Sequence, residues 1–185
     1  MNLRTFLPLP AVSTAEPPLA RDHAPVLPRE SGDRPLVVSF LRHTGCPFAE
    51  QTLRLLRAAA AARPEVEWIA VSHASRETTD EWARAVGGSG RVELVVDEER
   101  RLYGAWGIGR TDLSHFMGPS ALKGVVRLAR QGIHNRHPQG SRWQGAGTFA
   151  VDRSGTVRWR HLPEYAGDLP DLEGAGGAAL QKLSA

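Results

Sequence analysis

Three short apolar runs rich in β-branched residues, at 36–41, 66–71 and 92–96, alternate along the chain with segments of helical period. This alternation constrains the fold more than any other feature. Within 47–62, Phe48, Thr52, Leu55, Leu56 and Ala59 share helical spacing, and the alanine tract at 58–62 is a strong helix former. A second helix is expected over 76–86, with Trp82 and Val86 on one face, and a third over 98–106. Helical period returns around Leu122–Leu128. Further on, Thr148–Asp152 and Thr156–Trp159 flank Arg153-Ser154-Gly155, which reads as a hairpin whose glycine takes a positive φ. A last helix is expected over 170–183. Strand–helix units in this order predict an α/β fold. Its central mixed sheet starts parallel, ends in an antiparallel hairpin and carries helices on both faces.

A chain of 185 residues is the size of one domain. Residues 1–34 are rich in proline and charge without sustained period, so they read as an irregular arm or short hairpin leading into a domain over 35–185. The segment at about 107–146 is an insertion before the hairpin. No apolar run approaches the roughly 20 residues that span a bilayer. Arg4 precedes a short apolar stretch, but Pro8 and Pro10 break it, so it lacks the core of a signal peptide. A soluble, cytoplasmic protein is expected. The formal charge is +3, and of the 23 basic residues only Lys123 and Lys182 are lysines. The arginines are interleaved with acids, as in Asp97-Glu98-Glu99-Arg100-Arg101, which describes a solvated mixed surface rather than a nucleic-acid face.

The single cysteine excludes an intrachain disulfide and any multi-thiolate metal centre. In open α/β sheets, chemistry collects beyond the carboxyl ends of the strands. There the first strand runs into Arg42-His43-Thr44-Gly45-Cys46-Pro47-Phe48. Proline favours the first helical position, which makes Cys46 the N-cap. Unpaired amides and the positive end of the helix dipole favour a thiolate there, and Arg42 and His43 are near enough in sequence to add to that field. A buried structural thiol is the other reading, but such a thiol needs neither the glycine before it nor the proline after it.

The run VVSFLRHTGCPFAEQTLRLL, with the later GAGTFAVDRSGTVRW, resembles the peroxiredoxin-like branch of the alkyl hydroperoxide reductase/thiol-specific antioxidant (AhpC/TSA) family. The resemblance covers about 35–161. It implies a thioredoxin-like fold and a redox-active Cys46, with His43 and Thr44 shaping the site. The sequence departs from the family at several places. Ala49 stands where thioredoxins carry a second cysteine. Ser39 and His43 occupy the proline and threonine places of P-x-x-x-T-x-x-C, with Thr44 one residue late. Ala146 stands where typical peroxiredoxins carry an arginine, leaving Arg142 as a substitute if its loop folds back, and Gly147 falls at the cis-proline place of thioredoxins.

Other candidates gather on the same edge. His73 follows the second strand as a base or a polar wall of a pocket, or as an ordinary loop histidine. Glu50 complements the helix dipole. Phe48, Arg142 and Trp143 are candidate substrate contacts. The insertion, with His115, Phe116, Met117, His134, Asn135, His137, Arg142 and Trp143, fits a lid, a packing flap or a dimer contact. His134 and His137 make no metal signature. Tyr103 and Trp106 are expected to pack their helix on the sheet.

These readings imply a single-cysteine oxidoreductase that reduces a hydroperoxide or organic peroxide through Cys46. It needs no cofactor and is recycled by an external thiol such as glutathione or thioredoxin. Two alternatives stand beside it: a repurposed thioredoxin-fold enzyme using Cys46 in a non-peroxidase reaction on a small organic molecule, and a non-enzymatic thiol sensor or binding module. A small-molecule substrate, a thiol reductant and a second copy of the chain are the partners in view.

Overall fold

The computed structural model describes residues 12–28, 34–112, 119–134, 136 and 140–181. In chain order it contains β1 (Leu36–Phe40), α1 (Pro47–Ala62), β2 (Glu67–Ser72), α2 (Arg76–Ala85), β3 (Glu93–Val96), α3 (Arg101–Ala105), α4 (Pro119–Arg130), β4 (Gly147–Val151), β5 (Val157–His161) and α5 (Leu172–Ala179). The sheet order is β3-β2-β1-β4-β5. β1 pairs parallel with β2 and β2 with β3, whereas β4 runs antiparallel to both β1 and β5. The sheet therefore starts parallel and closes on a hairpin, as the element order predicts. Gly155 at the hairpin turn has φ 79°.

Strand alternation divides the core into two layers. Val37, Trp68, Ala70 and Ala150 face Leu53 and Leu56 of α1, Trp82 of α2 and Leu172 of α5. Val38, Phe40, Ile69, Val71 and Phe149 face Tyr103 and Trp106 on the other side. Both connections β1–β2 and β2–β3 step the same way across the sheet, so right-handed crossovers place α1 and α2 on one face. Phe40, Tyr103, Trp106 and Phe149 form an aromatic cluster with centroids 5.0–6.3 Å apart, which fulfils the packing role expected of Tyr103 and Trp106.

Two expectations need correction. The third helix is shorter than 98–106, because Asp97 caps it by accepting the amides of Arg101, Leu102 and Tyr103 at 2.8–3.0 Å. The last helix is confined to Leu172–Ala179, with Asp171 capping its start and three glycines lowering its helix propensity. The insertion is also more than a surface flap, since Leu128 and Ile133 are buried in the α1-side core. Residues 12–28 of the arm pack against the domain. The amide of Ala15 donates to the Gly104 carbonyl at 2.9 Å, His23 bridges to Thr156, and Arg160 donates to the Pro17 carbonyl at 3.1 Å.

Candidate active site

β1 and β2 end side by side in the middle of the sheet, and their next residues supply the site. The hydroxyl of Tyr103 lies 2.6 Å from the Leu41 carbonyl and 2.8 Å from that of Val71, tying the two strand ends together from below. Arg42, His43 and Thr44 leave one strand and His73 leaves the other, all of them buried.

Gly45, with φ 86°, turns the chain into α1, a conformation that a side chain would strain. Cys46 then occupies the N-cap with Pro47 at the first helical position, as the sequence predicts. Its amide donates to the His43 carbonyl at 3.2 Å, and its carbonyl accepts from Glu50 at 3.0 Å. The Cys46 side chain makes no capping hydrogen bond, and the residue is 5 % exposed at the start of a 16-residue helix.

The surroundings are cationic, but the histidines are not. Burial lowers the pKa of Arg42, its electrostatic interaction with Cys46 opposes that effect and the Arg142 charge reinforces it. The pKa of His43 is lowered to about 3, chiefly by burial and secondarily by the charges of Arg42, Arg142 and His73. His43 is therefore neutral at physiological pH. Its Nδ1–H donates to the Thr44 carbonyl at 3.0 Å, leaving Nε2 as the basic atom. The pKa of His73 is lowered to about 4 by burial and then by Arg100. Its Nε2 accepts the Ser141 amide at 3.1 Å, a bond only a neutral ring can make, while Nδ1 is buried without a partner.

Described residues of the insertion return to this edge. Arg42 donates to the Arg142 carbonyl at 3.3 Å, which brings Arg142 to the segment that follows β1. The backbone amide of Arg136 donates to the Gly45 carbonyl at 3.0 Å, and its Nε donates to Glu50 at 3.2 Å. Glu50 is 1 % exposed and also accepts from Arg54 at 2.7 Å, so it clamps the insertion to α1 in addition to complementing the dipole. Nothing in the spacing of Arg136 signals this contact; only the three-dimensional return of the chain reveals it.

The remaining candidates divide. Phe48 is buried, with its ring against Gly124 of α4 and Gly167, and its outer side lines a cavity of about 30 Å³ with Arg42 and Ala146. That volume suits about one water molecule. Trp143 is half-buried and its carbonyl accepts from Thr111 at 2.8 Å. Ser39 is bonded to Thr148 at 2.9 Å across β1 and β4, so it belongs to the sheet rather than to the thiol. His134 is exposed, whereas His115, Phe116, Met117, Asn135 and His137 lie outside the described residues.

A mixed sheet with a lone cysteine at the N-cap position of the helix that leaves its central strand defines a thioredoxin-like protein. The sequence model of the AhpC/TSA antioxidant enzyme family matches residues 53–164, more than half of the chain, and the protein belongs to that family. The match begins beyond Cys46, so the placement of the thiol rests on the fold. A peroxiredoxin-like protein from Aquifex aeolicus superposes with a TM-score of 0.62 at 13 % identity, covering 91 % of this chain and 90 % of that one. A thiol peroxidase from Chromobacterium violaceum gives 0.59 at 13 % identity over 89 % and 87 % of the two chains. The bacterioferritin comigratory protein of Xanthomonas campestris gives 0.54 at 15 % identity over 80 % and 79 %. No curated protein matches the sequence. No helix among the described residues is long and apolar enough to cross a membrane.

Proposed function

We propose that the protein is a one-cysteine peroxide reductase in which Cys46 is the nucleophile. The observation that carries this reading is the position of the thiol: N-cap of α1, at the carboxyl edge of the central strand, in the charge field of Arg42. The thiolate attacks one peroxide oxygen. An S–O bond forms, the O–O bond breaks, and the leaving oxygen takes a proton to depart as alcohol or water. Arg42 stabilises the negative charge that moves from sulfur to oxygen, and the neutral Nε2 of His43 is available to accept a proton. The resulting sulfenic acid has no resolving cysteine in the chain. An external thiol condenses with it and releases water. A second external thiol then frees Cys46 as the external disulfide forms. In this reading Thr44, His73, Arg142 and Trp143 are the candidate substrate contacts around the thiol. A cytoplasmic setting, with its reducing thiol pool, suits this cycle.

A redox-neutral reaction of Cys46 on a small organic molecule is the second reading. Ser39, bonded into the sheet, and His43 in the threonine place favour it, because two of the usual peroxide-orienting groups are replaced.

Intact mass after stoichiometric hydrogen peroxide, measured beside thiol-coupled turnover, separates the two. Wild type should gain one oxygen and turn over, and Cys46→Ser should do neither. A wild-type thiol that stays unoxidised while remaining accessible to alkylation would sink the peroxidase reading.

A further inference from the structure

We propose that His73 is a positioning residue: it seats the turn at Gly140 and Ser141 and so holds the Arg142 guanidinium at the Cys46 site as a second cation beside Arg42. This role rests on the reading of Cys46 as the nucleophile and differs from contact with substrate. The basic atom of the ring is already engaged, since Nε2 accepts the Ser141 amide at 3.1 Å. Gly140, with φ 86°, lies against the same ring, and a Cβ there would stand 2.7 Å from Nε2.

The imidazole is a fixed support. Its ring meets Tyr103 edge-on at 5.6 Å, and the Tyr103 hydroxyl is held between the Leu41 and Val71 carbonyls. Arg100, Arg42 and His43 are the other titratable groups that act on it or on which it acts. The far half of the loop is anchored elsewhere. The Trp143 carbonyl accepts from the Thr111 amide at 2.8 Å, and the Gly145 amide donates to the Gly109 carbonyl at 3.0 Å. Seating on His73 fixes the near half, at the residue before Arg142.

Arg142 is the group that this seating places. Its carbonyl accepts from Arg42 at 3.3 Å, and its charge acts on both Arg42 and His43. Arg42 in turn interacts electrostatically with Cys46. Two bonds, from Ser141 to His73 and from Arg42 to Arg142, therefore bridge the ends of β2 and β1 through one dipeptide. A long arginine side chain gives a steady field at the sulfur only when its backbone is fixed.

The test compares alkylation of Cys46, the one thiol of the full-length protein, by iodoacetate, an anion, and by iodoacetamide, its neutral analogue, at constant ionic strength. A cation near the sulfur speeds the first relative to the second, whereas a loosened fold speeds both alike. Arg142→Met should lower the ratio of the two rates about threefold, the effect of one charge at roughly 6 Å in water. His73→Leu, which removes the acceptor, should lower it as far, and His73→Gln, which keeps one, should restore most of it. Gly140→Ala leaves the imidazole intact and lifts the turn off it, so it should reproduce His73→Leu and keeps the test decisive if that variant does not fold. In the Arg142→Met background neither change should lower the ratio further. A ratio that Arg142→Met leaves unchanged, or that neither His73→Leu nor Gly140→Ala moves, overturns the proposal, as does an equal fall with and without Arg142. Oxidation by hydrogen peroxide is read separately: a thiol that shows these ratios but stays unoxidised refutes the peroxide-reductase reading and leaves the role of His73 standing.

Discussion

Arg136 grips the start of α1 at two points: its amide donates to the Gly45 carbonyl at 3.0 Å and its Nε donates to Glu50 at 3.2 Å. Those partners lie on either side of Cys46. One residue of the insertion therefore restrains access to a thiol that is only 5 % exposed. Arg136→Ala should raise the rate of Cys46 alkylation several-fold at fixed pH. The Arg136 side chain is 42 % exposed, so the stability cost should stay below about 1 kcal/mol. Glu50→Ala, which removes the buried partner of two arginines, should cost more, about 1–3 kcal/mol. An alkylation rate unchanged by Arg136→Ala would show that the clamp does not control access.

His43 and His73 should make the protein sensitive to mild acid. Their folded pKa values, about 3 and about 4, lie below the roughly 6.5 of an unfolded histidine. Between those limits the unfolded chain binds more protons, so stability rises with pH. The contribution is complete above about pH 6.5 and is lost as pH falls toward 4, at up to about 1.4 kcal/mol per pH unit for each histidine. Urea midpoints should thus drop between pH 7 and pH 5. His73→Gln, which keeps an acceptor for the Ser141 amide, should flatten that drop. An equal slope in the variant would mean that His73 charges freely in the fold.

Phe48 offers a test of packing against substrate contact. Its ring is wedged between Gly124 and Gly167, where an added Cβ would stand 3.0–3.1 Å from it. Phe48→Ala should therefore destabilise by about 3–5 kcal/mol. Phe48→Leu, which refills part of the space, should recover most of the stability with KM unchanged. A raised KM in a stable Phe48→Leu protein would restore the residue to the substrate wall.

The parts of this molecule that are legible in its sequence are those set by local rules. The strand and helix periods place every strand, and α1 runs from Pro47 to Ala62 because a glycine turn, an N-cap and a proline are adjacent in the chain. Cys46 is visible for the same reason. The clamp is not, because Glu50 and Arg136 meet across 86 positions and an acid one turn into a helix is already explained by the dipole. The bond from Ser141 to His73 is hidden likewise, since it depends on the return path of a long insertion. Arg142 marks the boundary: its standing in for the family's arginine could be read only as conditional on that loop folding back.

Asp152 gives the hairpin a pH dependence of its own. Burial alone would raise its pKa, but hydrogen bonds from the Ser154 hydroxyl at 2.6 Å, the amides of Thr156 and Ser154 and the Arg158 side chain at 2.6 Å outweigh it and lower the value. A carboxylate with a depressed folded pKa stabilises above its unfolded value of about 3.9 and loses that contribution as pH falls through the folded one. Asp152→Ala should cost about 1–3 kcal/mol at pH 7. The gap between wild type and variant should stay constant from pH 7 to about pH 5, a range in which the histidines shift both proteins alike, and should narrow below about pH 4. Paired urea titrations across that range read the gap directly. A gap that stays constant below pH 4 would assign the loss to packing rather than to the carboxylate's charge.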